Sequence, residues 1–330
     1  MKRFAVLFVL ALTVLAQGCV TLNMFPPEHP LGEYTIGGDE SADAKVLVVD
    51  VSGIILDTEQ KGLLGLTGLE NTAAKVRAAL RKADEDRDIA AVIIRINSPG
   101  GTVTASDLIH YEIRSFRNRH PHIPVHAMML DLAASGGYYV AVSTEKIWAH
   151  PTTVTGSIGV IVQGVNLSGL FDKIGIEDQT IKSGKHKDMM SPLRPQDDSD
   201  RKLMQGVVDS LYEQFLARVM AGRPEAKEER LREIADGRVY TAQTAKEEKL
   251  IDEIGYFDDV VEGLRQQTGR KSLRVVTYRN KEIHDDNIYA QARQSTISEA
   301  TLGHWASMLL SGQVSGGSPF LYYWAPGLGR

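Results

Sequence analysis

The stretch IAAVIIRINSPGGTV, residues 89–103, decides the fold class. Its first eight residues are apolar apart from Arg95, and most of them are β-branched. This is the composition of a strand that is buried on both faces, which is found where helices cover both sides of a sheet. The strand then runs into a glycine-rich stretch that is typical of a turn. These residues therefore predict an α/β protein.

The segments around this stretch continue the alternation of strand and helix. VLVVDVSGII (46–55), IPVHAMML (123–130) and KIWAH (146–150) have the composition of further strands. The spacing of apolar residues predicts helices over 72–85 and 105–118. Strands that alternate with helices imply parallel βαβ units. We therefore expect one α/β domain with a parallel sheet.

The longest predicted helix runs over 199–221, before Gly222 and Pro224 end it. Its apolar residues recur at helical spacing, and we expect that face to lie against the core: Leu203, Val207, Leu211, Phe215 and Val219.

The first 18 residues have the pattern of an export signal. Lys2 and Arg3 precede an apolar run over residues 4–16, which is too short for a comfortable membrane span. Small residues follow this run. The sequence predicts a signal peptide over 1–18 and a protein that is exported to the cell envelope.

Cys19 follows Gly18 directly, and this arrangement resembles a bacterial lipobox, although Ala16 and Gln17 depart from the usual pattern. We expect Cys19 to be lipidated and to tether the chain to a membrane. In a Gram-negative host, Val20 indicates the outer membrane, because the aspartate that signals inner-membrane retention is lacking. The alternative is ordinary signal cleavage, with Cys19 as an incidental thiol.

Composition excludes several classes of protein. Of the 330 residues, 43% are hydrophobic and 24% are charged, and the net charge is -5. The chain has no excess of basic residues, so nucleic acid is not expected as a partner. The sequence contains no CxxC pair and no HExxH motif, so we expect neither a metal site nor a cofactor. A single cysteine excludes an internal disulfide.

The chain divides into four predicted parts. After the signal comes a lipidated N-terminal spacer over 19–44, which is polar and contains proline and glycine. The α/β domain spans 45–270, and a C-terminal extension of unknown role spans 271–330. The tail GSPFLYYWAPGLGR (317–330) is unusually aromatic for a free end. It either packs on its own domain or docks on a neighbouring subunit or the membrane.

Two glycine-rich turns follow neighbouring strands, and one of them carries Ser135. In a parallel sheet, both turns leave the carboxyl ends of strands, where the sites of α/β proteins usually lie. Glycine lets the backbone approach a ligand closely. The N–H groups of Gly100, Gly101 and Gly136 are therefore candidates to surround an oxyanion beside a Ser135 nucleophile. The alternative is that Ser135 only fills a tight turn.

Several blocks occur in an order that resembles the signal peptide peptidase A family, the S49 serine peptidases: INSPGGTV, LDLAASGGYYVAV, TGSIGV, IKSGKHKDMMSPLR and RVYTAQTAKEEKLIDEIG. The resemblance implies a ClpP/crotonase-type fold and a Ser/Lys dyad. By position, Ser135 is the nucleophile, Lys187 is the general base and Ser157 orients the lysine. Gly100 or Gly101, together with Gly136, supplies the oxyanion hole. Ala242 and Lys249 replace glycines that are common in the last block.

The motifs occur once, which resembles the short members of the family. In those members, adjacent subunits of a ring contribute the nucleophile and the base. The resemblance therefore implies a homo-oligomeric ring with shared active sites.

A lysine base requires a special environment, because its ordinary pKa of about 10.4 makes it a poor base at neutral pH. Burial or a nearby positive charge lowers that pKa. Lys182 and Lys185 are expected to be solvated loop charges. Asp188 would oppose the change, so we expect its carboxylate to turn away from Lys187.

The resulting expectation is a membrane-tethered serine endopeptidase that acts through an acyl-enzyme on extended, apolar peptides such as released signal peptides. Two other classes stay open: a crotonase-like acyl-CoA enzyme and a catalytically silent lipoprotein scaffold. Among hydrolases, the rival is a Ser-His-Asp triad with His150 as its base. His126, within an apolar strand, is expected to be a core residue, and His186 neighbours the proposed base.

Overall fold

The computed structural model describes residues 31–58, 60–61, 68–69, 71–279, 287–288 and 321–323. The predicted signal peptide, Cys19 and Val20 lie outside the described residues. The strands are β1 (Gly32–Gly38), β2 (Lys45–Ile55), β3 (Gln60–Lys61), β4 (Gly68–Leu69), β5 (Ile89–Thr102), β6 (Val125–Ala134), β7 (Lys146–Ala149), β8 (Val154–Gly156), β9 (Val239–Thr241), β10 (Glu253–Ile254), β11 (Arg274–Arg279) and β12 (Leu321–Tyr323). The helices are α1 (Thr72–Glu85), α2 (Val103–Arg119), α3 (Gly136–Ala141), α4 (Ser168–Ile174), α5 (Asp198–Gly222), α6 (Glu228–Ile234), α7 (Ala242–Glu247) and α8 (Phe257–Thr268).

The centre of the fold is a sheet in which the strands lie in the order β1-β11-β2-β5-β6-β7-β10. From β11 to β10, each strand runs parallel to its neighbour. Parallel neighbours need crossover connections, and α1 and α2 provide them between β2, β5 and β6. The predicted α/β fold with parallel βαβ units is confirmed.

Helices bury both faces of this sheet, as the apolar strands require. On one face, Phe257, Val260 and Leu264 of α8 pack against a cluster that includes Ile93 and Met128. Alternate residues of each strand point to the opposite face, where α1 contacts β2 and α2 contacts β5. The double cover explains why the first six residues of β5, Ile89 to Ile94, are all apolar.

The sheet extends beyond the predicted domain limits of 45–270. β1, within the predicted spacer, pairs antiparallel with β11, and β11 pairs parallel with β2. β12 pairs antiparallel with β5, and β9 pairs antiparallel with β8. The sheet therefore takes in residues from both the predicted spacer and the predicted extension.

The burial of α5 differs from the prediction. Phe215 and Val219 are buried, but Leu203 is 49% exposed, Val207 is 40% exposed and Leu211 is only half-buried. The expectation that all five apolar residues face the core is therefore wrong for the first half of the helix. Helical spacing predicts an apolar face, but it does not say whether the same chain covers that face.

Among the described helices, none combines the length and the hydropathy that crossing a lipid bilayer requires.

Candidate active site

Ser135 lies where β6 ends and α3 begins, at the carboxyl end of the central parallel strands. Its N–H donates to the carbonyl of Gly156 at 2.8 Å, and its carbonyl accepts from the N–H of Tyr139 at 2.8 Å. Its backbone has φ 54° and ψ -113°, a combination that costs free energy in a residue other than glycine. Such strain at a turn from strand to helix is a known way to present a nucleophilic serine. Ser135 is therefore a strained, buried serine at the carboxyl end of the sheet.

The helix that follows Ser135 is fixed on both sides. The hydroxyl of Tyr138 donates to the carbonyl of Leu250 at 2.8 Å, and the hydroxyl of Tyr139 donates to Asp107 at 2.6 Å. Both tyrosines are buried. Their packing explains how the strained backbone of Ser135 is held in place.

Ser157 lies beside Ser135 at the end of the neighbouring strand. β8 pairs parallel with β6, and Gly156 is the partner of Ala134, so the residues that follow them are side by side. Ser157 also has a positive φ of 50°, and its N–H donates to the carbonyl of Arg238 at 2.7 Å. The two serines thus leave adjacent parallel strands together.

The glycine turn of β5 reaches the same edge of the sheet. Ser98 is the partner of Ala133 in β6, which places Gly100 and Gly101 just beyond it. A Cβ atom at Gly101 would lie 1.9 Å from the carbonyl oxygen of Ile55, so only glycine fits there. The N–H of Gly100 donates to the Ser98 hydroxyl at 3.0 Å. The other two candidate oxyanion donors are the N–H groups of Gly136 and of Gly101, and Gly101 is paired with Tyr322 of β12.

β12 pairs with the end of β5, on the edge where β6 pairs with the earlier part of the strand. One edge of Gly101 faces Ile55 of β2, and the other faces Tyr322 of β12. Since β6 turns into α3 after Ala134, β12 takes the position that β6 would have filled, and it also contacts α3. On its other side, Leu321 exchanges two backbone hydrogen bonds of 3.1 Å with Ile161.

These contacts place β12 in a slot for one extended strand, directly beside the Ser135 turn. The sequence left open whether the tail packs on its own domain, and for residues 321–323 it does. The aromatic composition of the tail was the available signal. The contribution of Ser98 was also missed, although its hydroxyl directly precedes the proline and the two glycines.

The three lysines near the predicted base differ in their partners. The Lys182 Nζ lies 2.7 Å from both carboxylate oxygens of Asp188, and the Lys185 Nζ lies 3.1 Å from an oxygen of Asp197. Lys187 is exposed, and its side chain makes no hydrogen bond or ion pair with any residue that the structure describes. As expected, the Asp188 carboxylate is turned to other cations.

Lys187 lies in an exposed segment, residues 162–197, which we call the lysine arm. None of its residues is buried, and its only described helix, α4, has no buried side chain. Within the part of the chain that the structure describes, no hydrogen bond joins Lys187 to Ser135 or Ser157. The single chain thus brings Ser135, Ser157 and the glycines together without a hydrogen bond from Lys187 to either serine.

Among the described residues, no histidine is hydrogen-bonded to Ser135. His126 is buried at the start of β6, and His150 follows β7 level with Leu130. At about 3.3 Å per residue along a strand, the nine residues from His126 and the five from the level of His150 to Ser135 span at most roughly 30 Å and 16 Å, because β6 is irregular between Met129 and Ala133. The His150 ring contacts Tyr256, and its Nδ1 lies 2.8 Å from the Thr152 hydroxyl.

Comparison with known proteins agrees with this geometry. The profile of "Peptidase family S49" matches residues 117–271. A protein named as a signal peptide peptidase SppA in Enterococcus faecium is 35% identical over 258 residues, which is 78% of this chain and 73% of that protein. A Synechocystis protein named as a protease is 36% identical over 66% of this chain and 73% of its own length. Protease 4 of Salmonella typhi is 31% identical over 69% of this chain but only 35% of its own length.

Two solved structures were also matched, each with a TM-score of 0.42. One is a mutant of the 1510-N membrane-bound stomatin-specific protease, which is 17% identical over 67% of this chain and 84% of that chain. The other is a mutant of ClpP1 from Listeria monocytogenes, which is 18% identical over 66% of this chain and 94% of that chain. The ClpP-type α/β fold that the motifs implied agrees with the parallel sheet described above. By its similarity to relatives covered over most of their length, the chain belongs to peptidase family S49 and is a serine peptidase.

Proposed function

We propose that this chain is an endopeptidase in which Ser135 and Lys187 form a Ser/Lys dyad and cleave peptides through an acyl-enzyme. The observation that carries the proposal is the Ser135 turn. A strained serine lies there beside two glycine turns and a slot for one extended strand.

In the first step, the Ser135 Oγ attacks the carbonyl carbon of the scissile peptide bond, and its proton passes to the neutral amine of Lys187. The carbonyl oxygen becomes an oxyanion, which the N–H groups of Gly101 and Gly136 stabilise. Lys187 then donates the proton to the leaving amine as the C–N bond breaks. In the second step, water attacks the ester, Lys187 takes its proton, and the Oγ regains a proton as the acid leaves.

The proposed role of Lys187 is supported by its lack of a carboxylate partner among the residues that the structure describes. A carboxylate beside a lysine favours the charged ammonium, which cannot accept a proton. Lys182 and Lys185 each have such a partner, at 2.7 Å and 3.1 Å. Ser157, beside Ser135, is suited to donate or accept a hydrogen bond that orients the incoming lysine.

Assembly into a ring is supported by the apolar side chains that the lysine arm and α5 expose. Ile181 is 99% exposed, and other apolar residues of this region are more than one-third exposed: Val165, Leu170, Ile174, Ile176, Leu193, Leu203 and Val207. Exposed apolar surface of this extent marks an interface. We propose that a second copy of the chain covers it, and that this contact carries Lys187 to the Ser135 of a neighbouring subunit.

An extended peptide substrate is supported by β12. Gly100–Thr102 lie on one side of this slot and Ile161 lies on the other side. The backbones of both already pair with β12, which lies between them. A substrate that adds to the same backbone groups binds through main-chain hydrogen bonds, so any extended peptide fits. Apolar peptides such as released signal peptides are the substrates we propose for the slot.

We further propose that Cys19 is lipidated and tethers the enzyme to the envelope membrane. Labelling cells with a tagged fatty acid, for the native chain and for Cys19→Ser, tests this. The native chain is expected to be labelled and membrane-bound. Equal, unlabelled and soluble protein in both cases would contradict it. Fractionation against inner-membrane markers tests the outer-membrane location.

The dyad is tested by peptidase assays of the chain without residues 1–18, compared with Ser135→Ala, Lys187→Ala and the matched control Lys182→Ala. We expect the first two variants to lose at least about a thousandfold in kcat/KM while they stay folded. Lys182→Ala is expected to change activity severalfold at most. Full activity of Lys187→Ala would remove the dyad, and an acyl-CoA activity without peptidase activity would favour the crotonase alternative.

A further inference from the structure

Arg194 joins two carboxylates, that of Asp188, the residue after Lys187, and that of Asp200. Its Nε and Nη2 lie 2.9 Å and 2.8 Å from the two carboxylate oxygens of Asp188. The same Nη2 lies 2.6 Å from an oxygen of Asp200. A guanidinium that meets a carboxylate with two parallel bonds fixes geometry as well as charge.

Asp200 provides a fixed point for these contacts. It lies in the first turn of α5, and its side chain is only 1% exposed. Its other carboxylate oxygen lies 2.5 Å from Nδ1 of His186, which is the residue before Lys187. These hydrogen bonds, first that from His186 and then that from Arg194, hold the pKa of Asp200 below its usual value. Asp200 is therefore an anion with two partners.

The two chain neighbours of Lys187 are thus tied to one buried carboxylate, His186 directly and Asp188 through Arg194. The rest of the lysine arm has no buried residue to hold it. We infer that Arg194 is a positioning residue for Lys187, and that it acts by fixing the backbone on both sides of the base to the first turn of α5. This inference rests on the proposed role of Lys187.

Arg194 also determines which cation Asp188 meets. With Arg194 and Lys182 bound, both oxygens of Asp188 are engaged, and these partners hold its pKa below the usual value. Without Arg194, Asp188 keeps one cation and is free to turn to the adjacent Lys187. A carboxylate at that position would stabilise the ammonium form and weaken the base.

The test compares the pH dependence of kcat/KM for the full chain, Arg194→Ala and Asp188→Asn. The other charged groups of the lysine arm and α5 near this base are Lys182, Lys185, His186, Asp197 and Asp200. In Arg194→Ala, we expect kcat to fall at least tenfold with little change in KM, and the acid limb to move up by about one pH unit. In Asp188→Asn, the Arg194 charge is no longer balanced, so the limb is expected to move down.

Arg232 offers a matched control, because it also bonds two carboxylates, Glu213 and Glu228, at 2.9 Å and 3.1 Å, on the surface between α5 and α6. Arg232→Ala is expected to leave both the rate and the limb unchanged. Arg194→Lys, with one donor group in place of a fork, is expected to recover activity in part. Circular dichroism and the oligomeric state establish that each variant is folded and assembled.

The inference is overturned if the acid limbs of the two pH profiles do not move in opposite directions in folded Arg194→Ala and Asp188→Asn. It is also overturned if Arg194→Ala keeps the native kcat. If Arg194→Ala does not fold, the downward limb of Asp188→Asn and the partial activity of Arg194→Lys decide the matter alone. An active Lys187→Ala variant is a separate result, because it removes the proposed dyad itself.

Discussion

Ser135 and Lys187 lie in regions of opposite character. Around Ser135, the ends of β5, β6 and β8 are buried, and Tyr138 of the following helix is fully enclosed. Backbone hydrogen bonds and strand pairing hold the turn, so the single chain forms the nucleophile side of the site on its own.

The lysine arm has the reverse character. It has no buried residue, and Ile181 is 99% exposed. Its order comes from charge contacts such as Arg194–Asp188 at 2.8 Å, rather than from a core. Surface ion pairs contribute little stability, so contacts of this kind hold the arm less firmly than buried packing holds the Ser135 turn. The comparison teaches that one chain completes buried surroundings for Ser135 and leaves Lys187 exposed.

The largest effect is expected from mixing two inactive variants. Ser135→Ala keeps the base and Lys187→Ala keeps the nucleophile, so a shared site is complete where an intact serine meets an intact lysine of the next subunit. In an equal random mixture, half of the subunits carry each intact residue, so about a quarter of the sites are complete. Peptidase assays of co-expressed, purified hetero-oligomers measure the recovery.

Each variant assembled alone is the control, and both are expected to be inactive. A verified hetero-oligomer no more active than its parents would mean that nucleophile and base come from the same chain. The comparison would then fail, because the arm would have to fold back onto its own sheet.

A second test places one methyl group in each region. Gly101→Ala puts a Cβ atom 1.9 Å from the carbonyl oxygen of Ile55, and we expect it to destabilise the fold by about 2–3 kcal/mol. Gly184→Ala in the lysine arm meets no atom within 4 Å and is expected to leave the free energy of unfolding unchanged. Urea unfolding measures both. Equal stability of the two variants would show that the glycine turn is not rigid.

A third test empties the slot beside Ser135. Removing residues 319–330 takes away β12, which pairs with Gly100–Thr102. We expect kcat/KM for an extended peptide to rise by about tenfold, since the substrate no longer competes with a tethered strand. Tyr322→Pro removes one backbone donor and is expected to give a smaller rise. Unchanged activity in both variants would mean that substrates bind elsewhere.

The sequence predicted the strands and the turns around Ser135 well, for a physical reason. The buried strands, the glycine turns and the position of Ser135 depend on local composition and on the pleat of one sheet. The pairing of β1 with β11 and of β12 with β5 joins segments that are far apart in the chain, and no local pattern specifies such partners.

The base side was harder to predict. Leu203 and Val207 follow the helical period, yet they are 49% and 40% exposed, because periodicity does not reveal what covers an apolar face. The motif IKSGKHKDMMSPLR singled out Lys187, but Arg194 in the same motif gave no signal. Its two carboxylate partners become apparent only once Asp200 is seen at the start of α5.

The smallest effect concerns the pH dependence of stability in the sheet. His126 in β6 is 3% exposed, and burial, together with the nearby Lys146 charge, lowers its pKa to about 4. The unfolded chain has the ordinary value of about 6.5. As pH falls below that value, His126 therefore becomes protonated in the unfolded state but stays neutral in the native state. The stabilisation is complete above pH 6.5 and is lost as pH falls toward the folded pKa.

We expect His126 to account for about 1 kcal/mol of the stability that is lost between pH 6.5 and 5.5. His126→Gln removes this share of the slope, whatever its absolute stability, and His122→Gln, at an exposed position, does not. His110, whose pKa burial also lowers to about 4, supplies a similar share in the variant and keeps a slope measurable. Urea unfolding at several pH values measures all three proteins. If the free energy of unfolding depends on pH in the same way in the native chain and in His126→Gln, water reaches His126. The sheet would then be less well buried than its contrast with the lysine arm requires.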